Sequence, residues 1–197
     1  MQAMALVAIP QANTGPGRRW LIANIVLVQA GWFACVLGAA HGLPWLGTLG
    51  MLAILAWHLS RAPRPLLELR VVAATIALGI VLDGTLLASG AVEFPNGQWF
   101  RLLTPHWMMA LWAEFAISLN VSLRWLKSKL WLAAALGAVA GPMSFLAGMR
   151  LGAVQILNPV LALAMLALGW ALLMPLLLAL SKRFDGVSQP ATAAGPA

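Results

Sequence analysis

The chain contains no tyrosine, one cysteine, five acidic residues and only 9% charged residues. The lone thiol, Cys35, lies inside an apolar run, which excludes an intrachain disulfide and says nothing about redox compartment. Charge is too sparse to coat a water-soluble surface: 62% of the 197 residues are hydrophobic and the mean hydropathy is +0.89, which puts the chain in a bilayer. No H-E-x-x-H, G-x-S-x-G or phosphate-cradling glycine loop is present, which removes the common protease, hydrolase and nucleotide-binding readings. The net charge of +7 is not a nucleic-acid signal, because the basic residues fall in short clusters beside apolar runs, the pattern that sets membrane topology.

Long apolar runs are what the chain has in abundance. Their lengths suit helices rather than barrel strands, and they predict an all-α polytopic membrane bundle with six transmembrane helices over residues 20–40, 44–59, 71–90, 107–123, 130–148 and 153–180. The second run spans only about 24 Å at ~1.5 Å per residue, short of a ~30 Å hydrocarbon core. The last is overlong, and Pro159 and Pro175 are expected to kink it or to end it near the interface. Residues 1–17 carry no lysine or arginine and so lack the basic n-region of a signal peptide, and residues 1–19 read as a mobile cytosolic leader; residues 181–197 read as a cytosolic disordered tail.

Orientation follows from the twelve basic residues. With six spans, Arg18, Arg19, Arg61, Arg64, Arg70, Arg124, Lys127, Lys129, Lys182 and Arg183 fall on one side, leaving Arg101 and Arg150 on the other. Basic loops remain cytoplasmic, so both termini are expected in the cytosol, and dropping the short second span would break the pattern. Tryptophan agrees: Trp20, Trp45, Trp57, Trp107, Trp125 and Trp131 mark expected span ends, where amphipathic rings prefer to sit, whereas Trp32, Trp112 and Trp170 lie within spans and read as packing.

Transmembrane helices associate by close packing of small residues. Gly137, Gly141, Ser144, Gly148 and Gly152 form such a stripe on the fifth span, with Pro142 positioned to open the helix. On the first span Asn24, Gly31, Cys35 and Gly38 share a face while Gln29 points elsewhere, so one amide is expected to tie two helices together.

Asp83 and Glu114 interrupt apolar runs, and an intramembrane charge needs a partner, a wet cavity or a bound proton. Their depths match at about 18 Å and about 14 Å from the cytosolic ends of their runs, which makes them a candidate acid/base pair if the third and fourth spans are neighbours. His106, Glu114 and Asn120 share one arc of the fourth span and outline a polar cleft; Asn24, Gln29 and Arg150 complete the candidate ligand-binding set. Arg150, isolated on the external side, has the chemistry to hold a lipid phosphate or carboxylate, or to reach inward to Glu114. No metal site or cofactor is expected, since His58 lies near the cytosol and His41 and His106 lie on the other side.

The segments Asn24 with Gln29-Ala30-Gly31-Trp32-Phe33, Leu111 to Asn120 with Ser122 to Leu126, and Gly141 to Ala153 resemble an uncharacterised family, a domain of unknown function, of small bacterial polytopic membrane proteins. The resemblance implies a bacterial inner-membrane location. Through the frequent placement of such genes beside fatty-acid or phospholipid modification genes, it also implies membrane lipids as partners. The expected role is therefore a lipid-directed enzyme or accessory factor using the two carboxylates. The alternatives are a small proton-coupled transporter, and a noncatalytic scaffold that binds a membrane-protein partner or a second copy of itself. No nucleic-acid partner is expected.

Overall fold

A computed structural model describes residues 15–188. Most of the expected leader and the end of the expected tail, residues 1–14 and 189–197, lie outside them. Six α-helices follow one another: α1 (Arg18–Ala40), α2 (Pro44–Arg61), α3 (Pro65–Ala88), α4 (His106–Leu119), α5 (Leu130–Leu151) and α6 (Pro159–Arg183). Two short strands, β1 (Val92–Glu93) and β2 (Gln155–Ile156), pair antiparallel, and a 3-10 turn (Arg124–Ser128) links α4 to α5. Among the described residues, α1, α3, α5 and α6 are long and apolar enough to cross a membrane.

The helix starts depart from the apolar runs for reasons of local chemistry. Helix α3 begins at Pro65, six residues before its run, because a proline at N1 gives up no hydrogen bond and Glu68 in the first turn suits the helix dipole. Helix α6 begins at Pro159 for the same reason, with the Asn158 side chain accepting from Leu161 N–H. Pro159 therefore opens that helix and does not kink it, and the residues before it form β2. Pro142 and Pro175 lie within continuous helices.

Helix α4 is the hub of the bundle. It packs against α1, α2, α3 and α6, and all its residues but Met109, Leu111 and Phe115 are buried. At about 21 Å its fourteen residues are short for a bilayer, and the helix ends at Leu119 where the expected span ran to 123. The ends are covered. At one end the 91–105 loop folds over the bundle, with β1 paired to β2, Asn96 Nδ2 donating to Ala39 O, and Trp107 Nε1 donating to Asn96 O. Trp107 is thus a buried plug, 2% exposed, and not the interfacial ring its position suggested. At the other end Trp20 packs on His58, Arg64 N–H donates to Gly186 O and Arg124 pairs with Asp185, so segments carrying the basic clusters meet there, while Arg101 belongs to the capping loop and Arg150 to the last turn of α5.

Close approach is bought with glycine. A Cβ at Gly141 would collide with the Trp170 indole and one at Gly137 would come within 2.5 Å of Trp170 O, so α6 lies directly on α5. The glycine stripe is nevertheless divided: Ser144 turns toward α1, accepting from Trp32 Nε1 at 3.2 Å, and Gly152, at φ 91°, closes the C-terminus of α5. On α1, Asn24, Gly31, Cys35 and Gly38 are all buried on one face, as their spacing indicated. The outer surface carries exposed apolar side chains such as Val26, Val139, Val160, Leu168 and Leu172, a surface suited to lipid and not to water.

Candidate functional site

Helix α5 packs along α6 and scarcely touches α1. The mismatch leaves a cavity of about 190 Å³ between α1, α4, α5 and α6. Its walls are Val28, Gln29 and Trp32 of α1, Met108, Leu111, Trp112, Glu114 and Phe115 of α4, Gly141, Ser144 and Phe145 of α5, and Trp170 of α6. A shallower groove bounded by Gln29, Trp32, Ala140, Met143 and Ser144 continues it outward between α1 and α5, so the opening is sideways, between two helices. A second recess shares Trp32, Met108, Leu111, Ser144 and Phe145 and extends it toward Phe94 and Trp107 under the capping loop.

Glu114 is the one acidic group on these walls. It is 2% exposed, its Oε1 has no hydrogen-bond partner, and it lies against Gly31 and Ile54, in space that a side chain at position 31 would fill. Gly31 therefore admits the carboxyl between α1 and α4. The aromatic wall is ordered: Trp112 stacks on Trp170 with ring centres 4.9 Å apart, and Phe115 meets Trp170 edge-on at 5.0 Å. Trp32, Trp112 and Trp170, which read as packing in the sequence, all line the cavity.

Asp83 is elsewhere. It is fully buried on α3, where Oδ2 accepts from Trp112 Nε1 at 2.8 Å and Oδ1 has no partner. Trp112 and Glu114 leave α4 about 200° apart, so the two carboxyls sit on opposite sides of that helix. No contact joins the two carboxyls: Asp83 bonds Trp112 and is not among the residues lining the cavity, whereas Glu114 is.

The other candidates scatter. Asn24 Nδ2 donates to Ile117 O at 3.1 Å, tying α1 to α4, and Gln29 is exposed at the cavity mouth, as the helical wheel indicated. His106 sits at the opposite end of α1 from Asn24, stacked on Trp45 with ring centres 4.0 Å apart and joined through Nδ1 to Thr48 Oγ1 at 2.7 Å. Arg150 is exposed in the last turn of α5, is not part of the cavity wall, and does not reach Glu114.

Asn120 belongs to a buried polar cluster at the basic end that the sequence did not disclose. Glu68 Oε1 accepts from Asn120 Nδ2 at 2.6 Å and from Gly186 N–H at 2.8 Å, and Glu68 Oε2 lies 2.9 Å from His58 Nε2. Lys127 Nζ donates to Asn120 Oδ1 and reaches Asp185 at 3.3 Å, and Asp185 also pairs with Arg124 at 2.7 Å. Burial lowers the Lys127 ammonium from its usual range, more than the neighbouring carboxylates raise it. Burial pushes the Asp185 carboxyl up, yet the Ser188 backbone N–H and the Lys127 and Arg124 charges outweigh it and hold the group below its ordinary value. Residues 184–188, expected to be disordered tail, form a strap across this end. The available signal was Pro65 at a helix start, which makes Glu68 helical and turns it inward.

The cavity and Glu114 lie within the part of the chain, residues 21–176, that matches the family described as protein of unknown function DUF2878. The chain belongs to that family. The match ends within α6, so the Asp185 strap lies outside it. No curated protein and no solved structure matches the chain. The membrane character of this family member rests on its four long apolar helices.

Proposed function

We propose that this DUF2878 protein is a multi-pass protein of the bacterial inner membrane that takes a lipid-like amphiphile sideways from the bilayer into the cleft between α1 and α5. Residues 20–180 form its membrane domain, with six crossings and both ends in the cytosol. The concentration of basic residues at one end of the bundle supports that orientation. Helix α4 crosses as an inner member, and α2 crosses at the periphery with Leu46, Leu49 and Leu52 exposed.

One observation carries the reading: a buried carboxyl with one unpartnered oxygen on the wall of a largely apolar cavity that opens sideways between α1 and α5. Burying such a group at membrane depth costs about 2.5–3.5 kcal/mol on insertion scales, so it marks a functional site more often than a packing contact. Within the reaction or transfer served, Glu114 orients the ligand head and is the group placed to exchange a proton with it. The two-carboxylate mechanism has no support in the geometry, and Arg150 has no place in the cleft.

The test is purification in native lipid followed by mass spectrometry of what remains bound after exchange into synthetic lipid. A specific amphiphile retained by wild-type protein and lost on Ala140→Trp, which obstructs the mouth, supports the reading. Identical lipid profiles for the two proteins overturn it.

A further inference from the structure

We propose that the ligand enters the cleft by a positively charged nitrogen, as a single-chain alkyl ammonium whose head lies beside Glu114 and whose tail leaves between α1 and α5. The inference rests on the cleft being an amphiphile site and assigns its chemical class.

Charge is the first argument. Glu114 is the one titratable side chain among the residues lining the cavity and its outer groove, and no lysine, arginine or histidine is present on either. A phosphate, sulfate or carboxylate head would find no counter-cation here, beside a carboxyl and in a medium that screens poorly. An ammonium head supplies the missing counter-charge and offsets part of the cost of burying the carboxylate.

The walls supply the second argument. Trp32, Trp112, Phe115 and Trp170 surround the same space, and aromatic faces attract desolvated cations, Trp most strongly. The polar groups beside them, the Gln29 amide at the mouth, the Ser144 hydroxyl that accepts from Trp32 Nε1, and the unpartnered Trp170 Nε1, are all neutral, so the walls offer π-faces to a cation and no positive charge to an anion.

Size gives the third. A dry cavity of ~150 Å³ holds a benzene, so the 190 Å³ here suits a head the size of trimethylammonium with its first methylenes. The remaining tail follows the groove past Gln29 and Ala140 into the bilayer.

The experiment uses full-length protein in nanodiscs of zwitterionic lipid, titrated calorimetrically with three ten-carbon probes, with empty nanodiscs subtracted. The probes are decyltrimethylammonium, uncharged decyldimethylamine N-oxide and decyl sulfonate. The expected result is saturable binding of the ammonium at least tenfold tighter than the N-oxide, with none for the sulfonate. Glu114→Gln should bring ammonium and N-oxide within about threefold, Glu114→Asp should keep the preference, and Ala140→Trp should abolish binding of both. If Glu114→Gln fails to fold, the wild-type ranking with Glu114→Asp decides. Equal or tighter binding of N-oxide or sulfonate by wild type, abolished by Ala140→Trp, overturns the cation assignment and leaves the cleft reading standing. Absence of any saturable binding sensitive to Ala140→Trp overturns the cleft reading itself.

Discussion

Glu68 is where the end of the bundle opposite the capping loop is held together, and its replacement is the sharpest test of that cluster. The side chain is 1% exposed and joins four parts of the chain: α3 through its own backbone, α2 through His58, the end of α4 through Asn120, and the strap through Gly186. Glu68→Ala strands three buried groups at once. Hydrogen bonds to a charged group contribute about 1.5–3 kcal/mol each, but the carboxylate also pays for its desolvation. Removing one partner of a buried charged cluster costs about 3–5 kcal/mol, which is the loss expected here. Glu68→Gln keeps Oε1 for Asn120 and Gly186 and turns an amide NH2 toward His58 Nε2. His58 can accept from it by carrying its proton on Nδ1, an atom that is buried and has no partner. One stranded N–H then costs about 1–3 kcal/mol. Thermal unfolding in detergent, followed by tryptophan fluorescence, reads the difference, at roughly 2–4 °C per kcal/mol for a chain of this size. The expected order is wild type, then Gln, then Ala, with Ala lower by about 6–20 °C. An alanine variant that stays monodisperse and melts within about 2 °C of wild type would refute the role given to Glu68.

Three further outcomes follow from the same geometry. Gly141→Leu should destabilise by about 1–3 kcal/mol or more because its side chain displaces the Trp170 indole, whereas Gly50→Leu, with nothing within 4 Å of its Cβ, should be neutral in the same melting assay. Asp83→Asn should change stability by less than about 1 kcal/mol because the amide oxygen still accepts from Trp112; Asp83→Leu, stranding that N–H, should cost about 1–3 kcal/mol, and combining it with Trp112→Phe should cost less than the sum of the single changes. The folded Asp185 carboxyl lies below its ordinary value, so its contribution is fully present above the unfolded value of about 3.9 and is lost as pH falls through the lower folded value. Pepsin cleavage near Phe184, scored relative to Asp185→Asn, should therefore be suppressed near pH 4 and converge with the variant at more acid pH; identical cleavage of the two proteins at every pH would remove the strap's dependence on this carboxylate.

What the sequence determined by itself is everything that depends on one helix at a time. Apolar length specified six helical segments, and alternation of basic clusters specified which ends lie together, because both are set by the bilayer and by chain connectivity. The shared face of Asn24, Gly31, Cys35 and Gly38 and the divergence of Gln29 follow from 100° per residue alone. Membership in the family was readable because its motifs are contiguous stretches.

Only tertiary structure decided which faces meet. Asp83 and Glu114 have comparable depth, yet rotation about α4 sends one carboxyl behind Trp112 and the other to the cavity wall. Depth is written in the count of residues from a span end, whereas azimuth relative to neighbours depends on which helix occupies each side of α4. The cavity exists because α5 commits its glycines to α6 and leaves α1 at a distance, a choice between partners that a stripe of small residues does not encode. Glu68 and Lys127 are buried and Asp185 half-buried because separated segments meet around Asn120 and satisfy one another there, which their places in or beside basic loops do not disclose.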